Sequence, residues 1–324
     1  MVSESKTWSL PPKNSMENQF DVVSIGSATI DIFIKSLDFI ITPEVIGLKP
    51  SSKNEISQSL ICSGGGAINS SVSFSRLNLK STPVSLIGNS YLNQYIFDDL
   101  KKAKVYEKFI YTDKNDNTDF SIIIVPEGGR RSILTNRGKG RLLSKHIPWN
   151  KIKKTKWFYI TSLEGNLDLL EKIIGFAKEN NIKIALNPGK RELKNRRRLT
   201  SLIKMVDFLL LNREESEILF NQSFDDIITE NLIHKLNLPI VAVTAGAEGA
   251  YIFSDNRQFF SPAANKKPVD ETGAGDAFGS TFVAGLIHNK SPQDALFWAV
   301  KNSASVVSQL GSHPGLLTLK QIKR

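Results

Sequence analysis

The stretch Asp270–Val283, DETGAGDAFGSTFV, is the part of the sequence that decides the fold. Gly273, Ala274 and Gly275 form a turn of small residues, which lets the backbone bend sharply and bring bare N–H groups close to a ligand. Apolar residues with helical spacing follow, namely Ala277, Phe278, Thr281, Phe282 and Leu286. The turn is therefore predicted to begin a helix, where free amides and the positive end of the helix dipole attract an anion.

Asp276 stands at the same helix start. A carboxylate there could take a proton from a hydroxyl that attacks a phosphate held by the amides, so the turn indicates a phosphoryl-transfer site with an anion hole and a general base. The alternative is an ordinary loop-to-helix junction, because Asp is common at helix starts. The next glycine is Gly279, so the spacing is not G-x-G-x-x-G, and G-x-x-x-x-G-K-[ST] is absent from the sequence.

Length and composition predict one large α/β domain with a small appendage, because 324 residues with 40% hydrophobic content can bury a full core. Residues 1–19 are polar and are expected to form a loose tail before a domain over 20–324. No apolar stretch approaches 18 residues, so we expect neither a membrane span nor export. The single cysteine, Cys62, excludes an internal disulfide and fits the cytoplasm, and the four scattered histidines disfavour zinc.

The net charge of +10 raises the question of a nucleic-acid partner. Basic residues cluster in Lys151–Lys156 and Lys190–Arg198, but aromatic side chains are not interleaved with them as they are in single-strand binders. We therefore expect no nucleic-acid partner. A basic field could instead help to gather anionic nucleotides.

Two stretches near the start of the domain predict a site for a polyol. Phe20–Gly26 has the pattern of a buried first strand, and Asp31 follows it at the usual ligand position of an open α/β sheet. Ser63–Leu77 predicts a glycine-rich helix start with Asn69 one turn inside, where amides and a carboxamide suit sugar hydroxyls. A turn aspartate and a plain glycine-rich helix start remain the alternatives.

A small β-sheet lid is predicted from segments without a helical period. It includes Ile32–Gln58, Phe120–Pro126 and Arg131–Asn136, so that lid segments are inserted at about 32–60 and 105–137. An apolar, exposed lid sheet would seek a partner, and a homodimer through the lid is one arrangement. The lid arginines Arg130, Arg131 and Arg137 could contact an anionic substrate, but we favour a solvent-covering role.

From Lys156 onward, apolar runs alternate with helical segments predicted near 166–180, 191–204, 213–236 and 275–309. This alternation predicts a doubly wound, mostly parallel sheet covered by helices on both faces. Ligands bind at the carboxyl ends of strands in such sheets. The polar and glycine residues expected at these ends are Glu164, Asn187, Asn212, Glu215, Thr244, Gly246 and Gly249.

Two of these positions suggest a particular chemistry. Glu215 in the sequence NREE could hold Mg²⁺ through water beside a phosphate, or it could only cap its helix. The TAGAEG turn, with Thr244, Gly246 and Gly249, could contact phosphate or ribose, and a hairpin is equally compatible with it.

Taken in order, GGGAIN, NREE, TAGAEG and DETGAGDAFGSTFVAG resemble the PfkB or ribokinase family of carbohydrate and nucleoside kinases over roughly residues 20–315. The D-x-T-G-A-G-D segment is the most specific of these motifs. The resemblance implies a ribokinase-like fold with a β-sheet lid, and transfer of the ATP γ-phosphate to a hydroxymethyl group.

The resemblance also implies roles for individual residues. Asp276 resembles the catalytic base, and Gly273, Ala274 and Gly275 resemble the anion hole. Asp31, Gly65, Gly66, Asn69 and Glu164 fall at substrate positions, whereas Asn187, Thr244, Gly246, Gly249 and Glu215 fall on the ATP and Mg²⁺ side. Asp270 and Thr272 resemble part of a monovalent-cation site, which members commonly fill with K⁺. Two departures are Gly88-Asn89-Ser90, where the family has G-x-D, and Thr29, where ribokinases carry Asn.

The expected function is therefore ATP- and Mg²⁺-dependent phosphorylation of a small, ribose-like sugar. An adenosine-type nucleoside kinase is the main alternative. A catalytically silent sugar or nucleotide sensor on the same fold is the third hypothesis, because a fold does not certify an activity.

Overall fold

The structure is a computed structural model that describes residues 19–126, 131–229 and 232–324. Most of the expected tail and the lid residue Arg130 lie outside these ranges. The strands are β1 (Phe20–Ile25), β2 (Thr29–Lys35), β3 (Ile40–Ile41), β4 (Ile46–Gly47), β5 (Gln58–Gly64), β6 (Ser81–Ile87), β7 (Ile110–Thr112), β8 (Phe120–Ile124), β9 (Ser132–Asn136), β10 (Thr155–Ile160), β11 (Lys183–Leu186), β12 (Phe208–Asn212), β13 (Ile240–Thr244), β14 (Gly249–Ser254) and β15 (Arg257–Pro262).

The α-helices lie between these strands and after them. They are α1 (Gly66–Arg76), α2 (Asn93–Lys102), α3 (Trp149–Ile152), α4 (Leu167–Glu179), α5 (Lys190–Leu193), α6 (Arg196–Ile203), α7 (Arg213–Phe220), α8 (Phe224–Thr229), α9 (Ala274–Ile287), α10 (Pro292–Val307) and α11 (Leu319–Ile322). Short 3₁₀ helices occupy Ser144–His146, Leu232–Leu236 and Gly246–Glu248.

Within the described chain, nine strands form the central sheet in the order β15-β14-β13-β12-β11-β10-β1-β6-β7. The neighbours from β13 to β7 run parallel, whereas β14 and β15 are antiparallel additions at one edge. Apolar runs such as VDFLLL form the central strands because both of their faces are covered. The predicted doubly wound, mostly parallel sheet is confirmed.

The two faces of the sheet bury separate apolar layers, since successive side chains of a strand point to opposite sides. Phe158 of β10 packs in the layer that contains the buried face of α4, whereas its neighbour Tyr159 packs in the layer with α9. In that second layer, Phe208 of β12 stacks on Phe282 of α9 with ring centroids 4.7 Å apart. Helix α9 is therefore held firmly across the middle of the sheet.

A separate four-stranded sheet, in the order β5-β2-β8-β9, forms the lid. It differs from the expected segments at one boundary. Within 105–137, strand β7 pairs with β6 in the central sheet, and Val105 and Phe109 are buried core residues, so the lid strands begin only at Phe120. The β3–β4 hairpin and strand β5 account for the segment near 32–60.

Two of the predicted helical segments are interrupted. The segment 213–236 breaks after α7, because Asn221 adopts the left-handed conformation at φ 56° and ends the helix. The segment 275–309 divides into α9 and α10, with Asn289 at φ 57° and Ser291 capping the second helix. Within the three described ranges, no helix is long and apolar enough to cross a membrane.

Candidate active site

The start of α9 carries the glycine turn and its acidic neighbour. Gly273 is the N-cap at φ 78°, and a Cβ there would lie 2.5 Å from Cβ of Ser312, so only glycine fits. The Ala274 amide donates to the Glu271 carbonyl over 3.2 Å, whereas the amides of Gly275 and Asp276 have no acceptor among the described residues. The Gly273 amide likewise has no acceptor among the described residues, so two of the three amides expected from the sequence, those of Gly273 and Gly275, are free together with that of Asp276.

Asp276 meets Asn69, which reaches it from α1. Asn69 Nδ2 donates to Asp276 Oδ2 over 2.8 Å. Within the described chain, Oδ1 of Asp276 accepts no hydrogen bond, so it is free to accept one from a ligand hydroxyl. Burial raises the pKa of Asp276, and the Asn69 hydrogen bond lowers it in part.

Three successive glycines bring the start of α1 against its neighbours. A Cβ on Gly64 would lie 2.0 Å from Asp31 Oδ2, one on Gly65 would lie 2.6 Å from the Ser27 carbonyl, and one on Gly66 would lie 2.6 Å from the Thr161 side chain. Gly65 also has φ 89°. Two amides of this helix start are already used, since Gly66 donates to Ser27 Oγ and Ala67 donates to the Ser27 carbonyl.

Asp31 lies on β2 and is buried, with Thr29 donating to its Oδ1 over 3.3 Å. Burial, opposed by hydrogen bonds from Thr29 and Ser121 and aided by the Asp270 and Asp276 carboxylates, raises the pKa of Asp31 to about 6. The fold therefore gathers Asp31, Asn69 and Asp276 at one place, from β2, α1 and α9.

Asp270 links the segment before α9 to the loop after α10. Its Oδ1 accepts from the Thr272 amide and hydroxyl over 3.1 and 2.8 Å, and its Oδ2 accepts from the Gly311 amide over 3.1 Å. The lid residue Arg131 lies 3.9 Å from Asp270 and 3.1 Å from Glu271. Arg131 therefore reaches the segment before α9, which differs from the solvent-covering role expected from the sequence.

Glu164 follows β10 at φ 59° and is held by arginines. Its carboxylate pairs with Arg137 from the lid and with Arg191 from α5, each over 2.5 Å. The loop itself is fixed by the buried Glu192, which accepts from the amides of Leu163, Gly165 and Gly189 and from the Ser162 hydroxyl.

The residues expected on the nucleotide side follow three adjacent strands, β11, β12 and β13. Asn187 donates to the Leu210 carbonyl over 3.1 Å, which links two strand ends. Gly246 has φ 58° with open space at its Cβ position, whereas a Cβ on Gly249 would lie 2.1 Å from the Ser261 carbonyl. The TAGAEG turn joins the antiparallel pair β13–β14, so the hairpin is present and Thr244 lies half-buried at its start.

Glu215 forms a reciprocal capping box with Asn212 at the start of α7. The Asn212 amide donates to Glu215 Oε2 over 2.9 Å, and the Glu215 amide donates to Asn212 Oδ1 over 2.8 Å. Burial raises the pKa of Glu215 to about 7. In the described ranges no group of three or more His, Cys, Asp or Glu side chains could hold a metal ion. A cation here would thus need ligands from water or from a bound phosphate.

Several residues that shape the site were not predicted from the sequence. Ser312 and His313, in the loop after α10, both contact Asn69 Oδ1 over 2.9 Å. Glu192 holds the loop that carries Glu164. In the sequence, the GSHPG segment indicates only a loop. Glu192 stands in a basic run, and nothing in that run indicates that its side chain will be buried.

Comparison with known proteins identifies relatives over most of the chain. Over 267 residues the chain is 28% identical to ribokinase from Lactococcus lactis, covering 80% of this chain and 84% of that protein. Ribokinase from Thermotoga maritima has the same fold with a TM-score of 0.75 at 21% identity, covering 94% of this chain and 98% of the other. Adenosine kinase from Sinorhizobium meliloti superposes with a TM-score of 0.78 at 21% identity, covering 93% and 97%.

The fold and the site thus define a ribokinase-like phosphotransferase. Residues 19–319 match the family model described as pfkB family carbohydrate kinase, and the chain belongs to this family. It is a phosphotransferase that acts on an alcohol group, and kinases of this family use ATP.

Proposed function

We propose that the protein transfers the γ-phosphate of ATP to the hydroxymethyl group of a small, ribose-like sugar. The observation that carries the proposal is the convergence at the start of α9. Free amides of Gly275 and Asp276, the carboxylate of Asp276 and the carboxamide of Asn69 all lie there, next to Asp31. Amides and one base suffice for phosphoryl transfer once charge is neutralised, because the reaction depends mostly on positioning and electrostatics.

In the proposed reaction, Asp276 Oδ1 takes the proton of the acceptor hydroxyl as its oxygen attacks the γ-phosphorus. The bond from that phosphorus to the bridging oxygen breaks, and ADP leaves with the bond's electrons. The turn Gly273–Gly275, extended to the Asp276 amide, holds the transferring phosphoryl group, since free amides at a helix start stabilise negative charge. Asp31, Asn69, Gly65, Gly66 and Glu164 form the proposed sugar side.

The proposed nucleotide side comprises Asn187, Thr244, Gly246 and Gly249, at the ends of neighbouring strands. Glu215 would hold Mg²⁺ through water, and its buried carboxylate fits an ion that keeps part of its hydration shell. Bound Mg²⁺ would neutralise the phosphate charge. A monovalent cation at Asp270 and Thr272 has less support, because Asp270 already accepts three hydrogen bonds and lies near Arg131.

The similarity to ribokinase from Lactococcus lactis supports a sugar over a nucleoside as the acceptor. A cleft beside Glu164 is lined by charged side chains, Asp113, Asp116, Asp119, Arg141 and Glu164, and by aliphatic ones such as Leu86 and Leu142. Asp31, Asn69 and Asp276 do not line this cleft, so it does not distinguish the two acceptors.

An ADP-release assay with MgATP and a panel of D-ribose, 2-deoxyribose, fructose and adenosine tests the proposal. We expect turnover with a ribose-like sugar, and the same sugar should raise the unfolding temperature of the protein. Turnover with adenosine alone would make the protein a nucleoside kinase. Binding of sugars and ATP without any ADP release would identify a silent sensor.

We also propose a homodimer in which two lids pair. The support is a set of exposed apolar side chains on and beside the lid sheet, namely Leu37, Ile40, Ile41, Val45, Leu48, Ile133 and Leu134. Such a surface is more typical of an interface than of a solvent-facing sheet. Sedimentation velocity should show a dimer that Leu134→Lys weakens; a monomer at all concentrations would refute this arrangement.

A further inference from the structure

The carboxamide of Asn69 has two sides, and only one of them faces Asp276. Its oxygen, Oδ1, is the acceptor for the Ser312 hydroxyl over 2.9 Å and lies 2.9 Å from Nε2 of His313. Both residues belong to the GSHPG loop that follows α10. The loop therefore contacts the same side chain that holds the proposed catalytic carboxylate.

The orientation of an asparagine amide is set by its partners, because its oxygen and nitrogen ends have nearly the same shape. If the Asn69 amide turned over, its oxygen would face the Asp276 carboxylate, and two acceptors would meet. That repulsion already disfavours the turned amide, and a proton on His313 Nε2 disfavours it further, since it needs the Asn69 oxygen as its acceptor. The hydroxyl of Ser312 can donate or accept, so it cannot impose the orientation alone.

The contact with the Asn69 oxygen requires that proton on Nε2, because a carboxamide oxygen can only accept a hydrogen bond. The other ring nitrogen, Nδ1, lies 3.8 Å from Asp99 Oδ2, which is beyond hydrogen-bond distance. Asp99 is otherwise engaged by the Ser63 amide and hydroxyl over 3.0 and 2.8 Å. The ring is mostly buried, with 13% of the side chain exposed, so it has little freedom to turn away.

We propose that His313 is a positioning residue for the reaction: its Nε2–H holds the Asn69 oxygen and thereby aims the Asn69 nitrogen at Asp276 Oδ2. This inference rests on the proposed role of Asp276 as the base. With Oδ2 held by Asn69, Oδ1 is the oxygen left to take the acceptor proton. Losing the donor removes one of the contacts that oppose the turned amide, so Asn69 holds the carboxylate less firmly in one direction.

The test compares His313→Leu with His313→Gln in the full-length protein, using the acceptor found in the panel. Leucine keeps much of the bulk but has no donor, whereas glutamine carries an N–H₂ group of similar reach. We expect His313→Leu to lower kcat roughly 10- to 100-fold, with the KM for MgATP within about twofold, because misplaced catalytic groups cost rates of this size. His313→Gln should recover kcat to within about fivefold of wild type, if its amide donates as the ring does.

His288→Leu is the matched control. His288 is also a partly buried histidine whose Nε2 contacts a carbonyl, that of Leu77 over 2.8 Å, but it lies at the opposite end of α9 from Asp276. It should change thermal stability and leave kcat within about twofold. Equal loss of kcat in the leucine and glutamine variants of His313, or a wild-type kcat in His313→Leu, would overturn the positioning role.

A measurement that does not depend on turnover separates this inference from the proposed function. The side-chain ¹⁵N–H₂ resonance of Asn69, assigned by its loss in Asn69→Asp, should move in His313→Leu and stay in place in His313→Gln. An unmoved resonance in His313→Leu overturns the inference even if the enzyme is a sugar kinase. If wild type releases no ADP but the Asn69 resonance moves in His313→Leu, the kinase proposal is refuted and the contact between His313 and Asn69 stands.

Discussion

Asn69 on α1 donates a 2.8 Å hydrogen bond to Asp276 on α9, although the two residues are 207 positions apart in the sequence. The bond joins a helix start shaped by three glycines to another shaped by the GAGD turn. It fixes one carboxylate oxygen and leaves the other without a donor in the described chain. This geometry suits the proposed base, which would take a proton on the oxygen that Asn69 does not hold.

Replacing Asp276 by Asn should lower kcat by about 10²- to 10⁴-fold, the usual contribution of a general base, because the amide cannot accept the acceptor proton. ATP binding, followed by the thermal shift with MgATP, should change little. Asp168→Asn is the control, since Asp168 is also an acid in the first turn of a helix but lies exposed on α4. A variant at Asp276 with a near-normal rate would refute its role as the base.

The pH profile should show an acid limb above the range of an ordinary aspartate. Burial raises the pKa of Asp276, and it raises the pKa of Asp31 to about 6. Because Asp276 must be ionised to accept a proton, activity should rise with pH and fall as pH drops through the raised pKa of Asp276. Measurement of kcat/KM between pH 4.5 and 8 checks this. An acid limb near pH 4 would show that neither carboxylate controls the rate.

Glu215→Gln should raise stability at pH 8 while lowering activity. Burial raises the folded-state pKa of Glu215 from 4.5 to about 7, so the ionised form opposes folding, and stability falls as pH rises through that window. The substitution should add about 1–2 kcal/mol to the free energy of unfolding at pH 8 and nothing at pH 4. Its activity should need more Mg²⁺. Chemical denaturation at both pH values and a Mg²⁺ titration measure the two effects, and unchanged Mg²⁺ dependence would argue against the metal role.

Two glycine-to-alanine substitutions should have opposite effects on the free energy of unfolding. Gly273→Ala places a Cβ in the left-handed region and 2.5 Å from Ser312 Cβ, so it should cost about 2–3 kcal/mol of stability and disturb the anion hole. Gly175→Ala, in the exposed interior of α4 where no heavy atom lies within 4 Å, should gain up to about 1 kcal/mol. Calorimetry on both variants gives the comparison; a stabilised Gly273→Ala would mean that the turn does not have this shape.

Arg131→Met should make activity depend more on K⁺. The guanidinium lies 3.9 Å from Asp270 and already supplies a positive charge there, so wild type should show less than about a threefold difference in rate between K⁺ and Na⁺. Removing that charge should leave Asp270 to a bound cation. Lys178→Met is the control, because it removes another cation that lies 3.9 Å from a carboxylate, that of Asp207. Equal rates in K⁺ and Na⁺ for Arg131→Met would show that the Arg131 guanidinium does not take the place of a bound cation beside Asp270.

Much of the fold could be predicted from the sequence because its signals are local. Apolar runs such as VDFLLL and the glycine turn before α9 specify strands and a helix start by themselves. The break in 213–236 was missed because it depends on one asparagine at positive φ, which the helical spacing hides. Strand β7 was assigned to the lid because three residues between polar stretches do not show which sheet they will join.

The meeting of Asp276 and Asn69 could be expected from the sequence, because each stands beside glycines at a predicted helix start. His313 and Glu192 were not, because their importance lies in partners that are distant in the chain. Asp99 and Ser63 are similar, since nothing in their own segments indicates that they meet.

The four hydrogen bonds that Glu192 accepts have a consequence for attempts to redesign this protein. They hold the amides of Leu163 and Gly165, the Ser162 hydroxyl and the Gly189 amide, independently of what the Glu164 side chain does. Mutant libraries that seek a new preference among alcohols can therefore randomise position 164 together with its arginine neighbours, provided that position 192 stays acidic. Randomising position 192 as well would remove these hydrogen bonds from most variants, and most of them would misfold before any new preference was screened.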